Sequence, residues 1–445
     1  MATINLPAPT HGPSRSGPTM VVSPPVNTSF RPLPHWLTKY LFHRRVRDCP
    51  PSIAAKSIGN VDFSYPPEVE QVRKELRAWL AANLTDDVIA ANRGRGRDEA
   101  AFQTLRAWNA TMADAGWAAV SWPQEYGGRG AGVLEQLVYA EETTRARVPV
   151  HLNVIGMNNI APAIMEHGTE AQKRTLLPRM MRADDIWCQG MSEPEAGSDL
   201  ASLRTRAVRD DDHFVVNGQK IWTSLGHRAD WCQLYVRTDP DAPKHKGISC
   251  LILDMSLPGI EVRPLVTLSG EADFAEIFFN DVRVPADALL GPVNGGWRIA
   301  TTTLSHERAG AARLYTEMQL RLADLVADLA DVQIDNRPVL EDPASLRRLG
   351  EIALRIKYLE VLCQRSISAT LQGGDAFGSA SLAKSIWGEV GQEIAALAFD
   401  LLGSHPDSRR WTDYRLTARS LTIAGGTTQI NKNITAQRVL GLPRS

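Results

Sequence analysis

Between Trp187 and Asp199 the chain reads Trp-Cys-Gln-Gly-Met-Ser-Glu-Pro-Glu-Ala-Gly-Ser-Asp. A hydroxyl (Ser192), two carboxylates (Glu193 and Glu195), a rigid Pro194 and a flexible Gly197 stand close together there. Such a composition does not continue a helix, and it is too polar for a buried strand. It reads as a loop whose backbone and hydroxyls are offered to a bound molecule. Other residues fit chemistry less readily when read alone. Ser192 would cap a turn, as Ser before Glu-Pro often does. Trp222 would be a core aromatic. Glu307-Arg308 would be a solvated charge pair on a helix, and His306, a candidate base by residue type, lies about 100° around that helix from Glu307.

The chain has 445 residues, 43% hydrophobic and 22% charged, with a net charge of -1. These are ordinary values for a soluble globular protein of two or three domains. Near-neutral charge gives no electrostatic reason to expect nucleic acid or an anionic membrane, and no apolar run approaches the ~20 residues that span a bilayer. Cys49, Cys188, Cys232, Cys250 and Cys363 are scattered without CxxC spacing. That pattern points to reduced, packed thiols, with no metal site or disulfide framework.

Residues 1–60 stand apart. They are rich in Pro, Ser and Thr, hold one acid (Asp48) and carry the basic run His43-Arg44-Arg45-Val46-Arg47. Three readings fit: a disordered tail, a transit-like peptide, or translated upstream sequence with the start near Val61. From 61 to 185 the pattern is helical, beginning with Val69, Val72, Leu76, Trp79 and Leu80 at spacings of three and four. After Trp187 the period shortens. His213 to Thr223 reads as a hairpin closed by Asn217-Gly218, and Trp231–Arg237, Gly247–Asp254, Ile260–Leu265 and Ala275–Val284 read as strands. This makes residues 186–290 a β domain. From 291 to 445 long helices return, over Trp297 to about Ala330, Pro343–Gln372, Ser379–Leu402 and Thr428–Leu440, which suits an antiparallel four-helix bundle.

Four segments spread over 61–445 carry a resemblance. Met191-Ser-Glu-Pro-Glu-Ala-Gly-Ser-Asp199 is similar to the flavin and thioester loop of the acyl-CoA dehydrogenase family. Asn217-Gly-Gln-Lys-Ile-Trp-Thr-Ser224 resembles its second flavin segment, Phe279-Asn-Asp-Val-Arg-Val-Pro285 the strand leaving its β domain, and Gly426-Thr-Thr-Gln-Ile430 with Val439-Leu-Gly441 its C-terminal signature. The fit is closest to the bacterial fatty-acyl branch, which implies lipid β-oxidation in the cytoplasm, or in mitochondria if 1–60 is a transit peptide. The fold so implied is an α+β multidomain: an N-terminal all-α domain, a central β-barrel-like domain and a C-terminal four-helix bundle.

The resemblance implies FAD as cofactor, an acyl-CoA substrate, and electron-transfer flavoprotein or a similar acceptor as redox partner. It also implies a homo-dimer or homo-tetramer, with a hetero-oligomer as the alternative. The implied reaction is α,β-dehydrogenation to a trans-2-enoyl-CoA: a base removes the α-proton and the β-hydrogen leaves as hydride to flavin N5. Carried over residue by residue, Met191, Ser192, Trp222 and Ser224 meet the flavin. Thr427 and Gln429 meet its diphosphate and adenosine half. Arg337 stands where a neighbouring subunit's segment completes the adenosine site, though the family's Phe-Gly is absent here. Ser198, Arg308 and Gly425 fall at the thioester. Many members place their base where this chain has Gly425, which cannot abstract a proton. Others carry it on the first long bundle helix, where this chain has Glu307. Two other readings stay open: a catalytically incomplete subunit whose partner supplies the base, and a flavin oxidase or monooxygenase on the same scaffold.

Overall fold

The computed structural model describes residues 65–443 apart from 93–97, 308–310, 375–376, 404 and 407, and leaves the side chains of 304–307, 311–312 and 377 undescribed. The N-terminal segment read above as tail, transit peptide or upstream sequence, and Arg308, lie outside the described residues. So does the side chain of Glu307.

Six helices open the described chain: α1 (Pro67–Asn83), α2 (Asp86–Ala91), α3 (Glu99–Asp114), α4 (Val133–Arg145), α5 (Ala161–His167) and α6 (Glu170–Arg182). Side chains fix their starts, since Thr85, Asp98 and Thr169 cap α2, α3 and α6 by accepting backbone N–H bonds. Arg73 on α1 is buried against Glu141 and Glu142 on α4. Glu141 also accepts a 2.7 Å bond from the Tyr315 hydroxyl on α8 (Ala311–Asp328), which ties the first helices to the later bundle.

An eight-stranded sheet follows: β1 (Trp187–Gly190), β2 (Arg206–Asp210), β3 (His213–Ser224), β4 (Trp231–Arg237), β5 (Ile248–Asp254), β6 (Ile260–Leu265), β7 (Phe274–Pro285) and β8 (Leu289–Leu290). Its strand order is β6-β7-β3-β2-β4-β5-β8, with β1 lying parallel to β4. Two expectations need correction. The stretch from Trp187 begins as a strand, because Trp187 and Cys188 are apolar and fully buried and Gln189 finds an amide partner across the pair in Gln233. Asn217-Gly218 closes no hairpin. The two-residue turn is Asp211-Asp212, between β2 and β3, and β3 runs on through Asn217-Gly218 opposite a bulge whose extra residue is on β7. Glycine is required at 218 for close approach: a Cβ there would stand 2.6 Å from the Thr205 hydroxyl.

After the sheet come α7 (Gly296–Glu307) and α8, then a short hairpin of β9 (Gln333–Ile334) and β10 (Arg337–Pro338), and α9 (Pro343–Leu371), α10 (Phe377–Leu402), α11 (Ser408–Thr417) and α12 (Thr428–Ile434). The single helix expected from Trp297 to Ala330 is described as α7 and α8 on either side of 308–310, and α11 had no sequence counterpart. Leu322, Leu325, Leu359 and Ile394 sit in the bundle core contributed by α8, α9 and α10. A second core joins α5 and α6 to the sheet and α7, through Ile164, Leu177, Trp187, Tyr235 and Ile299. Among the described residues no helix is long and apolar enough to cross a membrane.

Candidate active site

The loop at 191–199 is held from both ends. Glu193 and Ala196 exchange backbone hydrogen bonds of 3.1 and 3.0 Å, closing a tight turn over Pro194-Glu195. The Glu193 carboxylate is buried and accepts from the Arg204 N–H (2.6 Å), the Thr205 N–H (2.8 Å) and the Lys220 ammonium (2.8 Å). Lys220, on β3, is completely buried and also donates to the Met191 carbonyl at 3.0 Å. Burial pushes the Glu193 carboxyl up, and the Lys220 ammonium together with the bonds from Thr205 and Arg204 more than offsets that, so it titrates below the usual carboxylate range. Glu195 is exposed and paired with Arg204. The Glu193 carboxylate is fully engaged in holding the loop.

The same strand presents Trp222. The Ser192 carbonyl accepts from the Ile221 N–H at 2.9 Å, which seats the loop directly beside it. Trp222 lies at a second bulge of β3 against β7, with φ at 60° and 59% of its surface exposed. A bulky residue held left-handed, its indole outside any core, is locally unfavourable. Phe274 supports the ring edge-on at 5.9 Å. Ser224 pairs with Phe274 in the ladder, and the Thr223 hydroxyl is buried without a hydrogen-bond partner among the described residues. Met191, Ser192, Trp222 and Ser224 are therefore brought together as a ledge of one flat apolar plane, two hydroxyls and loop backbone. That donor set fits a planar heteroaromatic cofactor. Ser198 is exposed at the outer end of the loop, beside Asp199, which is tied to Lys244 at 2.5 Å.

Helix α7 docks on this sheet through polar contacts. Thr303, buried, meets the Tyr235 hydroxyl (3.2 Å) and the Gln233 amide (3.5 Å) on β4, and Gln233 accepts from Gln189 on β1 (2.9 Å). One residue earlier on that helix, Thr302 lies 3.1 Å from His167 Nε2. Glu307 ends α7 four residues beyond Thr303, a spacing that places the two positions on one side of the helix. These partners have no sequence signature, because each bond joins residues far apart in the chain. Lys220 was equally missed; its one available signal was a lysine placed between Gly218 and Trp222 in a strand.

The C-terminal signature rests on α10. Lys384 donates to the Leu421 carbonyl at 2.6 Å, and Gln392 reaches the Ala418 carbonyl and Thr422 hydroxyl. Gly425 and Gly426 both have positive φ, 67° and 91°, and no acceptor for the Gly425 N–H occurs among the described residues. Thr427 caps α12 by accepting from Ile430, and Gln429 is exposed. Arg337 is exposed on the β9–β10 hairpin. Among the described residues no hydrogen bond or ion pair joins this group to the Met191–Ser224 ledge.

A helical domain, an eight-stranded sheet that carries this ledge, and a helical bundle follow one another along the chain. Three domain models match in that order: acyl-CoA dehydrogenase N-terminal domain over 66–184, middle domain over 188–282, and C-terminal domain over 294–440. The acyl-CoA dehydrogenase IpdE1 of Mycobacterium tuberculosis is 37% identical over 392 residues, covering 85% of this chain and 98% of that protein. The chain belongs to the acyl-CoA dehydrogenase family, and is an oxidoreductase acting on acyl-CoA in a family that generally uses a flavin. Two solved structures are also similar at 33% identity, each covering 86% of this chain and 100% of the other. One is titled a Tcur3481-Tcur3483 steroid ACAD, with a TM-score of 0.76. The other is the ChsE4-ChsE5 complex from Mycobacterium tuberculosis, with a TM-score of 0.74. The likeness therefore does not single out the fatty-acyl branch expected above.

Proposed function

We propose that this chain catalyses FAD-dependent α,β-dehydrogenation of an acyl-CoA thioester to the trans-2-enoyl-CoA. The observation that carries the reading is the exposed, left-handed Trp222 on the strand that is hydrogen-bonded to Ser192. Met191, Ser192, Trp222 and Ser224 hold the flavin ring. Thr427 and Gln429 hold its diphosphate and adenosine half, completed by Arg337 of a neighbouring subunit. When bound, FAD supplies the hydride acceptor, N5. Glu307 takes the α-proton; its position four residues beyond Thr303, which meets β4, supports this. The Gly425 N–H donates to the thioester oxygen, where enolate charge develops. Ser198 and Arg308 complete the thioester site. The domains divide at 61–185, 186–290 and 291–445.

The neighbour titled as a steroid ACAD supports an acyl group carried on a steroid over a linear fatty chain. Electron-transfer flavoprotein or a similar acceptor reoxidises the flavin, and the enzyme works in the cytoplasm as a homo-oligomer. A second reading, a hetero-oligomer in which another chain completes the site, is favoured by Gly425 at the usual base position and by the two-chain title of a neighbour. An acyl-CoA panel scored by dye reduction, with and without co-purified partner chains, tests both. Turnover by this chain alone, fastest with steroid-linked thioesters, is the expected result. Turnover only with a second chain would establish the hetero-oligomer.

A further inference from the structure

Lys220 is the least expected buried group among the described residues. Its ammonium has no exposed surface, lies in the interior of an eight-stranded sheet, and reaches two separate points of the loop: the Met191 carbonyl and the Glu193 carboxylate. A buried ion pair is a weak source of stability, because desolvation consumes most of the attraction. Its better-attested use is to fix one geometry among several. The bonds here divide by task. Glu193 keeps two backbone N–H donors, from Arg204 and Thr205, so the turn it anchors does not depend on Lys220. The Met191 carbonyl has Lys220 as its only donor among the described residues. Lys220 is also two residues from Trp222, on the same strand, and adjacent to Ile221, whose N–H binds the Ser192 carbonyl.

We propose that Lys220 is a positioning residue for the cofactor. Bridging Met191 and Glu193, it sets the height of the loop against the Trp222 indole, so the ledge is built to shape before any flavin arrives. The inference rests on the flavin reading above, and adds that the seat is held by a charge the flavin never touches. Preorganisation of this kind appears in cofactor affinity more than in folding.

The test uses the full chain stripped of flavin, in wild-type form, as Lys220→Met, and as the charge-free double variant Glu193→Gln with Lys220→Met. The double variant leaves no unpaired buried charge; its carboxamide oxygen accepts one of the two backbone N–H groups and its NH2 meets the other, a cost shared by Glu193→Gln alone, which is measured beside it as the reference. The double variant therefore keeps the proposal testable if Lys220→Met does not fold. FAD is titrated by fluorescence, the bound flavin's absorption spectrum is recorded, and the apoprotein melting temperature is measured. The expected result is a Kd for FAD raised at least about tenfold in the double variant over Glu193→Gln, a spectrum moved toward that of free FAD, and an apoprotein melting temperature close to that of Glu193→Gln. The affinity and spectrum of Glu193→Gln retained in the double variant would overturn the proposal, as would affinity lost only in step with melting temperature. If the wild type itself takes up no FAD, the cofactor reading falls and this inference with it.

Discussion

At the scale of single residues, two side chains can be tested where stability and function separate. The Trp222 ring is largely exposed and contacts Phe274 at its edge. Removing it in Trp222→Ala should change the melting temperature of the apoprotein little, while flavin affinity falls about three- to tenfold, the range of an aromatic stacking contact. A core role would give the reverse, a large drop in melting temperature. His167 reports on the docking of α7. Burial lowers its imidazole below the ordinary histidine value; nearby Glu166 opposes and Arg298 reinforces that shift. The folded state thus prefers neutral His167, while the unfolded chain takes up a proton near the ordinary value of 6.5. Its contribution is complete above that pH and is lost as pH falls from there toward the lower folded pKa. A melting-temperature profile should therefore decline on acidification across this window, and His167→Gln should flatten that part. At this scale Met191, Ser192, Trp222 and Ser224 come from two continuous segments of the sequence, which the bond from the Ile221 N–H to the Ser192 carbonyl sets side by side. Lys220 was hidden because a charged residue stands on the inward parity of β3, that of Phe214 and Val216, while the extra residue of the bulge at 220–223 turns Trp222 out and Thr223 in.

Elements carry the next level of positioning. The segment leading to Gly425 comes close to the backbone of α10 at Gly388. A Cβ at Gly388 would stand 2.7 Å from the Leu421 carbonyl oxygen, a backbone atom that cannot simply turn aside. Alanine is the better helix former by about 1 kcal/mol, yet Gly388→Ala should destabilise the protein by about 1–3 kcal/mol because the helix and segment must part. Chemical denaturation checks the sign: a gain in stability would show that the segment yields freely. The start and type of most elements followed from periodicity and caps, as with Thr85, Asp98 and Thr169. The hairpin misplaced at Asn217-Gly218 shows the limit, since a strong local turn signal was overruled by pairing of β3 with β7. Strand β1 was masked by the polar residues that follow it.

Across the whole molecule, the order of helical block, sheet and bundle was legible because the hydrophobic period changes twice. The seams between these blocks were not, because they depend on pairs such as Tyr315 and Glu141, 174 positions apart. These seams decide where the ends of α7 and the 191–199 loop stand relative to each other, and so whether a base at Glu307 serves a flavin at Trp222. Separating Thr303 from β4 should disturb that relation: Thr303→Val, which keeps the shape and removes the hydroxyl, is expected to lower kcat for acyl-CoA oxidation about tenfold or more while leaving FAD binding unchanged, and steady-state kinetics beside a flavin titration would show it. The most direct test of the central claim is anaerobic mixing of the yellow protein with the best acyl-CoA of the panel, following loss of flavin absorbance in wild type and in Glu307→Gln. Bleaching by wild type, slowed by about 10²–10⁴-fold in Glu307→Gln with FAD still bound, is the result predicted; bleaching of Glu307→Gln at the wild-type rate would contradict it.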